Sequence, residues 1–344
     1  MKNKIKLLII DDSLLFRNVL KKVLSEDSHI EVVGLAVDPI DALDKIEKLQ
    51  PDILTLDIEM PKMNGLTFLK KIMTENPMKI VLVSSMNISV FDALHSGAVD
   101  FVRKPDMSSE NDLELFFREL TSKIKIASIA KLKINKIEKK YELPNKLQSA
   151  TDNALMQKII AIGASTGGTE ATLEILKSLP KEMPGILVTQ HMPAGFTKMY
   201  ADRLNKICNI EVREARHGDR VEKGLALIAP GDFHMRLVKD DNGYFVTCRQ
   251  GEKVSGHCPS VDVLFNSVAD AANKNAVGII LTGMGKDGAQ GLLNMRKAGA
   301  YTIGQDKDSS VVYGMPMVAY NIGAVTVQAA IEDISEVLIK YLNK

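Results

Sequence analysis

The sequence predicts two α/β units in tandem: five βα units at the N-terminus, then a doubly wound, mainly parallel α/β unit that carries an antiparallel hairpin insertion. Three observations lead there. Short β-branched runs alternate with amphipathic stretches from Ile5 to about Ser122, a lysine-rich polar stretch interrupts them, and the alternation resumes at Gln157. A length of 344 residues also calls for two or three domains rather than one. The expected boundaries are 1–122, a linker at 123–155, and 156–344.

In the first unit the strand-like runs are Lys6–Ile10, Ile30–Ala36, Ile53–Asp57, Ile80–Ser84 and Phe101–Val102. Each is followed by a helical period. Asp38-Pro39 reads as an N-cap with proline in the first helical position, opening a helix through Lys48. Between Lys123 and Leu155 eight lysines face three acids, with Pro144 and a polar tail, which reads as the end of a helix fraying into a solvated linker. In the second unit Gln157–Gly163 and Gly185–Gln190 read as strands, Thr169–Ser178 as the helix between them, and Ala276–Gly283 as a later, strongly apolar strand. Turn signals from Glu211 to Arg249, such as Ala229-Pro-Gly-Asp232 and Asp241-Asn-Gly243, predict inserted antiparallel strands, with His217 and His234 exposed among them.

Composition narrows the function. A hydrophobic share of 45% with 25% charged residues is that of a folded protein. Forty-four basic against 43 acidic residues leave no overall field for nucleic acid or an anionic membrane. Three cysteines without CxxC spacing argue against a disulfide scaffold or structural zinc. The apolar run Leu7–Ile10 is too short for a signal-peptide core, and no stretch reaches a membrane span, so a cytoplasmic protein is expected.

Parallel sheets place chemistry at the carboxyl ends of their strands. In the first unit Asp11 and Asp12 follow strand one, Asp57 ends strand three, Ser84 and Ser85 end strand four, and Lys104 follows strand five. Three carboxylates meeting there repel one another unless a hard divalent cation neutralises them, and oxygen ligands suit Mg²⁺. A phosphoryl group on Asp57 would be matched by that ion, the Lys104 ammonium and a serine hydroxyl. The ordered set Asp11-Asp12, Asp57-Ile-Glu-Met-Pro61 with Asn64-Gly65, Ser84-Ser85 and Lys104-Pro105 resembles the receiver domain of bacterial two-component response regulators, a flavodoxin-like fold. The resemblance implies Asp57 as phosphoacceptor, Mg²⁺ held by Asp57, Asp12 and the Glu59 carbonyl, Ser84 and Lys104 as phosphoryl sensors, and Phe101 as the aromatic switch residue.

In the second unit Gly163-Ala-Ser-Thr-Gly-Gly168 forms a tight strand-to-helix turn around Ser165. Such a turn offers free helix amides, and it serves a nucleophile, a phosphate cradle or plain punctuation equally well. The next strand delivers His191 and the late apolar strand opens into Met284-Gly-Lys-Asp287, so hydroxyl, imidazole and carboxylate converge from three strand ends, the set an acyl-transfer triad needs. His257, in Gly-His-Cys-Pro259, competes for the role of base, and strand-end position favours His191. Cys258 beside it lacks a presenting turn. A dehydrogenase reading is disfavoured, because no tyrosine has lysine four residues on and the second strand ends in Gln190-His191 rather than an acid.

Ile162-Gly-Ala-Ser-Thr-Gly-Gly168, Gln190-His-Met-Pro193, Ala229-Pro-Gly-Asp232, Gly256-His-Cys-Pro-Ser-Val-Asp262 and Leu281-Thr-Gly-Met-Gly-Lys-Asp-Gly288 together resemble the chemotaxis protein-glutamate methylesterases, the CheB family. That resemblance implies Ser165, His191 and Asp287 as the triad, the Met284 amide as an oxyanion donor, and γ-glutamyl methyl esters on chemoreceptors as substrate. It further implies deamidation of receptor glutamines, a chemotaxis histidine kinase as phosphodonor, and a receiver that covers the catalytic face until phosphorylated. Ester hydrolysis is expected to need no cofactor, and neither nucleic acid nor membrane insertion is expected.

Overall fold

The structure, a computed structural model, describes residues 4–60, 64–85, 89–132 and 157–344. The chain divides into two compact units, Met1–Glu138 and Lys139–Lys344. Most of the stretch expected as a linker lies outside the described residues. Its first residues complete a helix.

The first unit alternates strictly: β1 (Ile5–Ile10), α1 (Leu14–Leu24), β2 (Ile30–Ala36), α2 (Pro39–Leu49), β3 (Ile53–Leu56), α3 (Gly65–Glu75), β4 (Lys79–Ser84), α4 (Ser89–His95), β5 (Asp100–Arg103) and α5 (Glu110–Ile129). The sheet order is β2-β1-β3-β4-β5, all parallel. Central strands buried on both faces need continuous apolar runs, and Leu7–Ile10 of β1 are fully buried. Each such side chain contributes roughly 1.5–3 kcal/mol on leaving water. Local signals set the helix starts: Ser13, Asp38, Asn64 and Ser109 each accept a backbone N–H of the first turn. The strand order reverses between β1 and β3, so the residues after those strands face one crevice.

The second unit contains β6 (Ile159–Ala164), α6 (Gly168–Ser178), β7 (Gly185–Gln190), α7 (Phe196–Ile207), β8 (Glu211–Glu214), β9 (Leu225–Ile228), β10 (His234–Asp240), β11 (Gly243–Arg249), α8 (Val261–Ala272), β12 (Ala276–Ile280), α9 (Ala289–Lys297), β13 (Tyr301–Gln305), α10 (Met315–Asn321), β14 (Val327–Ala329) and α11 (Ile334–Leu342). A sheet of order β14-β13-β12-β6-β7-β9-β8 is parallel throughout. Helices α8, α9 and α10 pack together as one set, and α6, α7 and α11 as another. Strands β12, β6 and β7 are neighbours, and their carboxyl ends form one rim.

Two expectations about the insertion need correction. Only β10 and β11 form an antiparallel hairpin; β8 and β9 instead extend the main sheet in parallel. The reason is that the connection 215–224 crosses over β11, with Gly218 and Val221 N–H donating to Val246 and Tyr244 carbonyls, which returns the chain in the direction it left. His234 is buried rather than exposed: Ser260 N–H donates to its Nδ1, and its Nε2 lies 2.8 Å from the Glu252 carbonyl. His217 is exposed as expected. No helix among the described residues is long and apolar enough to cross a membrane.

Candidate functional site

Each unit gathers polar residues at its strand ends. In the first, Asp57 is 2% exposed, with its N–H on the Ile10 carbonyl (3.0 Å), which ties the ends of β1 and β3 together. Ligand oxygens of Asp11, Asp12 and Asp57 all lie within 4.8 Å of one another. Lys104 reaches Asp57 Oδ2 at 2.6 Å and Asp11 Oδ2 at 2.8 Å. Burial works against the Lys104 charge, but the two carboxylates hold it above the ordinary lysine range. Burial also pushes the Asp57 carboxyl up, and Lys104 with the Glu59 N–H (3.1 Å from Oδ1) offsets only part of that. Three carboxylates against one ammonium leave room and charge for a divalent cation, so the donor set fits Mg²⁺.

The remaining predicted residues of this pocket are placed nearby. The Ser84 carbonyl accepts the Lys104 N–H at 2.9 Å, and Ser84 Oγ is buried with no partner among the described residues. Phe101 is buried, edge-on to Phe91 with ring centroids 6.4 Å apart. Gly65, which opens α3, tolerates no side chain because a Cβ would overlap the Asp57 carbonyl oxygen.

In the second unit Ala164 of β6 pairs with Gln190 of β7, and Gly163 pairs with Ile280 of β12. Ser165 and His191 are therefore the first residues beyond two adjacent strands, separated at the backbone by about one interstrand spacing of ~4.8 Å. Ser165 N–H donates to the Thr282 carbonyl (3.0 Å) and His191 N–H to Ala164 (3.2 Å). Gln190 ties the two residues further: its Nε2 donates to the Ser165 carbonyl (3.0 Å) and the His191 carbonyl (3.3 Å). In sequence Gln190 argues against a dinucleotide site and belongs to the Gln190-His-Met-Pro193 motif, but neither reading gives it this tying role.

His191 Nε2 lies 2.7 Å from Asp287 Oδ2, with both side chains almost fully buried. Asp287 also accepts from Ser260 Oγ (2.8 Å), Val261 N–H (2.8 Å) and Asp262 N–H (3.0 Å). The last two are amides of the first turn of α8, where a helix favours negative charge. Burial alone would raise the Asp287 carboxyl, but the His191 hydrogen bond and charge, the Asp262 amide and the Ser260 hydroxyl hold it down at about 2. Since Nε2 faces this carboxylate, the nitrogen left to act as a base is Nδ1, which is buried and has no partner among the described residues. Ser165 Oγ and His191 are not hydrogen-bonded here, a looseness common in resting hydrolases.

The Met284 N–H has no acceptor among the described residues, while the preceding Gly283 carbonyl accepts from Gly314 (3.1 Å) and Met315 (2.8 Å). Gly283 lies against the serine, since a Cβ there would sit 2.7 Å from Ser165 Cβ. His257 stacks flat on His191, with ring centroids 3.6 Å apart and planes 8° from parallel. Burial and Asp232 push the Cys258 thiol up, which disfavours a thiolate nucleophile.

Comparison with known proteins identifies the family of each unit. A family model described as CheB methylesterase matches residues 160–338, and one described as the response regulator receiver domain matches 7–113. A protein-glutamate methylesterase/protein-glutamine glutaminase of Syntrophomonas wolfei subsp. wolfei is 54% identical over 99% of this chain and 98% of its own. The chain belongs to the CheB methylesterase family. An Escherichia coli member bearing the same activities in its name is 46% identical over 99% of this chain and 97% of its own. The crystal structure of the Thermotoga maritima CheB methylesterase catalytic domain is 38% identical, covers 54% of this chain and 98% of its own, and superposes with a TM-score of 0.53.

Proposed function

We propose that this CheB-family chain is a phosphorylation-activated serine hydrolase that demethylates glutamate γ-methyl esters on chemoreceptors and deamidates receptor glutamines. The 2.7 Å contact between His191 Nε2 and Asp287 Oδ2, next to Ser165 at the adjoining strand end, carries this reading. Ser165 Oγ attacks the ester carbonyl as its proton passes to His191 Nδ1. Asp287 holds the Nε2 proton and stabilises the imidazolium. The carbonyl oxygen, now an oxyanion, meets the Met284 N–H. Collapse breaks the C–O bond, and the departing methoxide takes the Nδ1 proton to leave as methanol. Water then gives a proton to Nδ1 and attacks the acyl-serine, releasing the glutamate carboxylate and restoring Ser165. With glutamine the leaving group is ammonia.

In the receiver unit Asp57 accepts the phosphoryl group from a histidine kinase of the chemotaxis pathway. Asp12, Asp57 and the Glu59 carbonyl would hold Mg²⁺, with Asp11 behind them, and the ion would supply charge neutralisation at the phosphoryl oxygens. Lys104, already bridging Asp11 and Asp57, turns to a phosphoryl oxygen, and Ser84 Oγ donates to another. Phe101, already buried against Phe91, serves as the aromatic switch residue in this reading. Reversing a two-state equilibrium completely takes about 5 kcal/mol, and a smaller bias gives partial activation. A cytoplasmic location is part of the same reading.

Methanol release from methylated receptor membranes tests the reading. Ser165→Ala should lower the rate by about 10³-fold or more, and retention of most of the rate would remove Ser165 as nucleophile.

A further inference from the structure

We propose that His257 is a positioning residue that holds the plane of the His191 imidazole, so that Nδ1 can meet the Ser165 hydroxyl during turnover; this rests on the esterase reading of the site. The hydrogen bond from Nε2 to Asp287 fixes one atom of the ring. About that contact the imidazole remains free to swing, and each swing moves the Nδ1 lone pair off its target. No hydrogen bond holds Nδ1 itself among the described residues. The second constraint is the His257 ring, 3.6 Å from His191 between centroids and within 8° of parallel. Rings in that arrangement pack face to face, and His191 cannot rotate out of its plane without displacing its neighbour.

The neighbour is itself firmly held. Val254 and His257 exchange both backbone hydrogen bonds at 3.0 Å around Ser255-Gly256, and both central residues have positive φ (53° and 85°). That is a two-residue turn of the type that closes tight hairpins. Three residues on, Ser260 caps α8 and donates its hydroxyl to Asp287. A single segment, 257–262, therefore grips the imidazole by its face and the carboxylate by its oxygens. Stacking also separates His257 from a role as proton relay to His191. Ring-nitrogen lone pairs lie in the ring planes, so two parallel stacked imidazoles do not point a nitrogen at each other.

The test uses the full chain and methanol release from methylated receptor membranes. His257→Ala should lower kcat by about 10- to 100-fold, the usual cost of a small misplacement of a catalytic group, with KM and the unfolding midpoint unchanged. His257→Phe, which keeps a flat ring without nitrogens, should return kcat to within about threefold of the parent, since aromatic faces stack without needing ring nitrogens. Should His257→Ala fail to fold, His257→Leu, which fills the space without a flat face, takes its place with the same expected loss. A parent-like kcat in the non-aromatic variant overturns the proposal. So does a phenylalanine variant as slow as the alanine one, because the ring nitrogens then carry the effect. Ser165→Ala run alongside keeps the two readings apart: loss of activity there with no effect at His257 sinks only the positioning role.

Discussion

Asp287→Asn offers the sharpest probe of the catalytic unit, because its cost is worked from the contacts of one carboxylate. Four donors converge on the side chain: His191 Nε2, Ser260 Oγ, and the N–H groups of Val261 and Asp262. The carboxyl is held at about 2 against an ordinary 3.8. At 1.36 kcal/mol per pH unit, these contacts favour the ionised form by about 2 kcal/mol. Asparagine removes the charge and replaces one acceptor oxygen with a donor. Turned one way, its NH₂ confronts the Val261 N–H and forces the His191 proton onto Nδ1, the nitrogen needed as base. Turned the other way, it confronts the Asp262 N–H. Either way one buried helix amide loses its acceptor, at a further cost of roughly 1–3 kcal/mol. We expect the variant to lose about 3–5 kcal/mol of stability in its catalytic unit and about 10³-fold or more in kcat. Thermal unfolding and methanol release measure the two effects. A folded variant within tenfold of the parent in kcat would refute the assignment of Asp287, and an unchanged unfolding midpoint would refute the capping argument.

Other perturbations read different parts of the molecule. The Asp287 carboxyl lies lower in the folded state than its ordinary 3.8, so its stabilising contribution is complete above about pH 4 and is lost as pH falls towards 2. The stability gap between the parent and Asp287→Asn should therefore narrow over that interval, and acid titrations that stay parallel would contradict it. Gln190→Leu deprives the Ser165 and His191 carbonyls of a shared donor. It should cost about 1–3 kcal/mol and lower kcat more than it raises KM; an unchanged kcat would show that Gln190 does not tie the two strand ends. Gly65→Ala would drive a methyl group into the Asp57 carbonyl and should block phosphorylation of the receiver, as labelled phosphate transfer would show, while leaving the catalytic unit's unfolding unchanged. Normal labelling would mean that the α3 start shifts without disturbing Asp57.

Much of this architecture was legible because parallel sheets convert sequence into position. A strand buried on both faces must be apolar throughout, so its first polar residue marks the rim. Asp11 and Ser165 obey that rule directly, whereas Thr55 in β3 and Thr189 and Gln190 in β7 are buried polar residues that precede Asp57 and His191; register between neighbouring strands then brings together residues distant in the chain. Asp287 obeys it less directly: β12 ends at Ile280, and a glycine-rich loop intervenes before the carboxylate. What holds the carboxylate was not legible as such. Ser260-Val-Asp262 reads locally as the start of a helix, and nothing local says that the free amides of that start will receive a carboxylate from another loop. In sequence His257 is a rival base, because sequence shows that an imidazole is present but not whether its edge or its face meets a neighbour. His234 was misplaced for a related reason, since a turn-rich stretch suggests exposure, whereas its Nδ1 accepts the N–H of Ser260, the residue that caps α8. The residues that perform chemistry thus follow from strand periodicity. Those that orient them depend on long-range contacts between a loop and a helix end, and local pattern carries no record of such contacts.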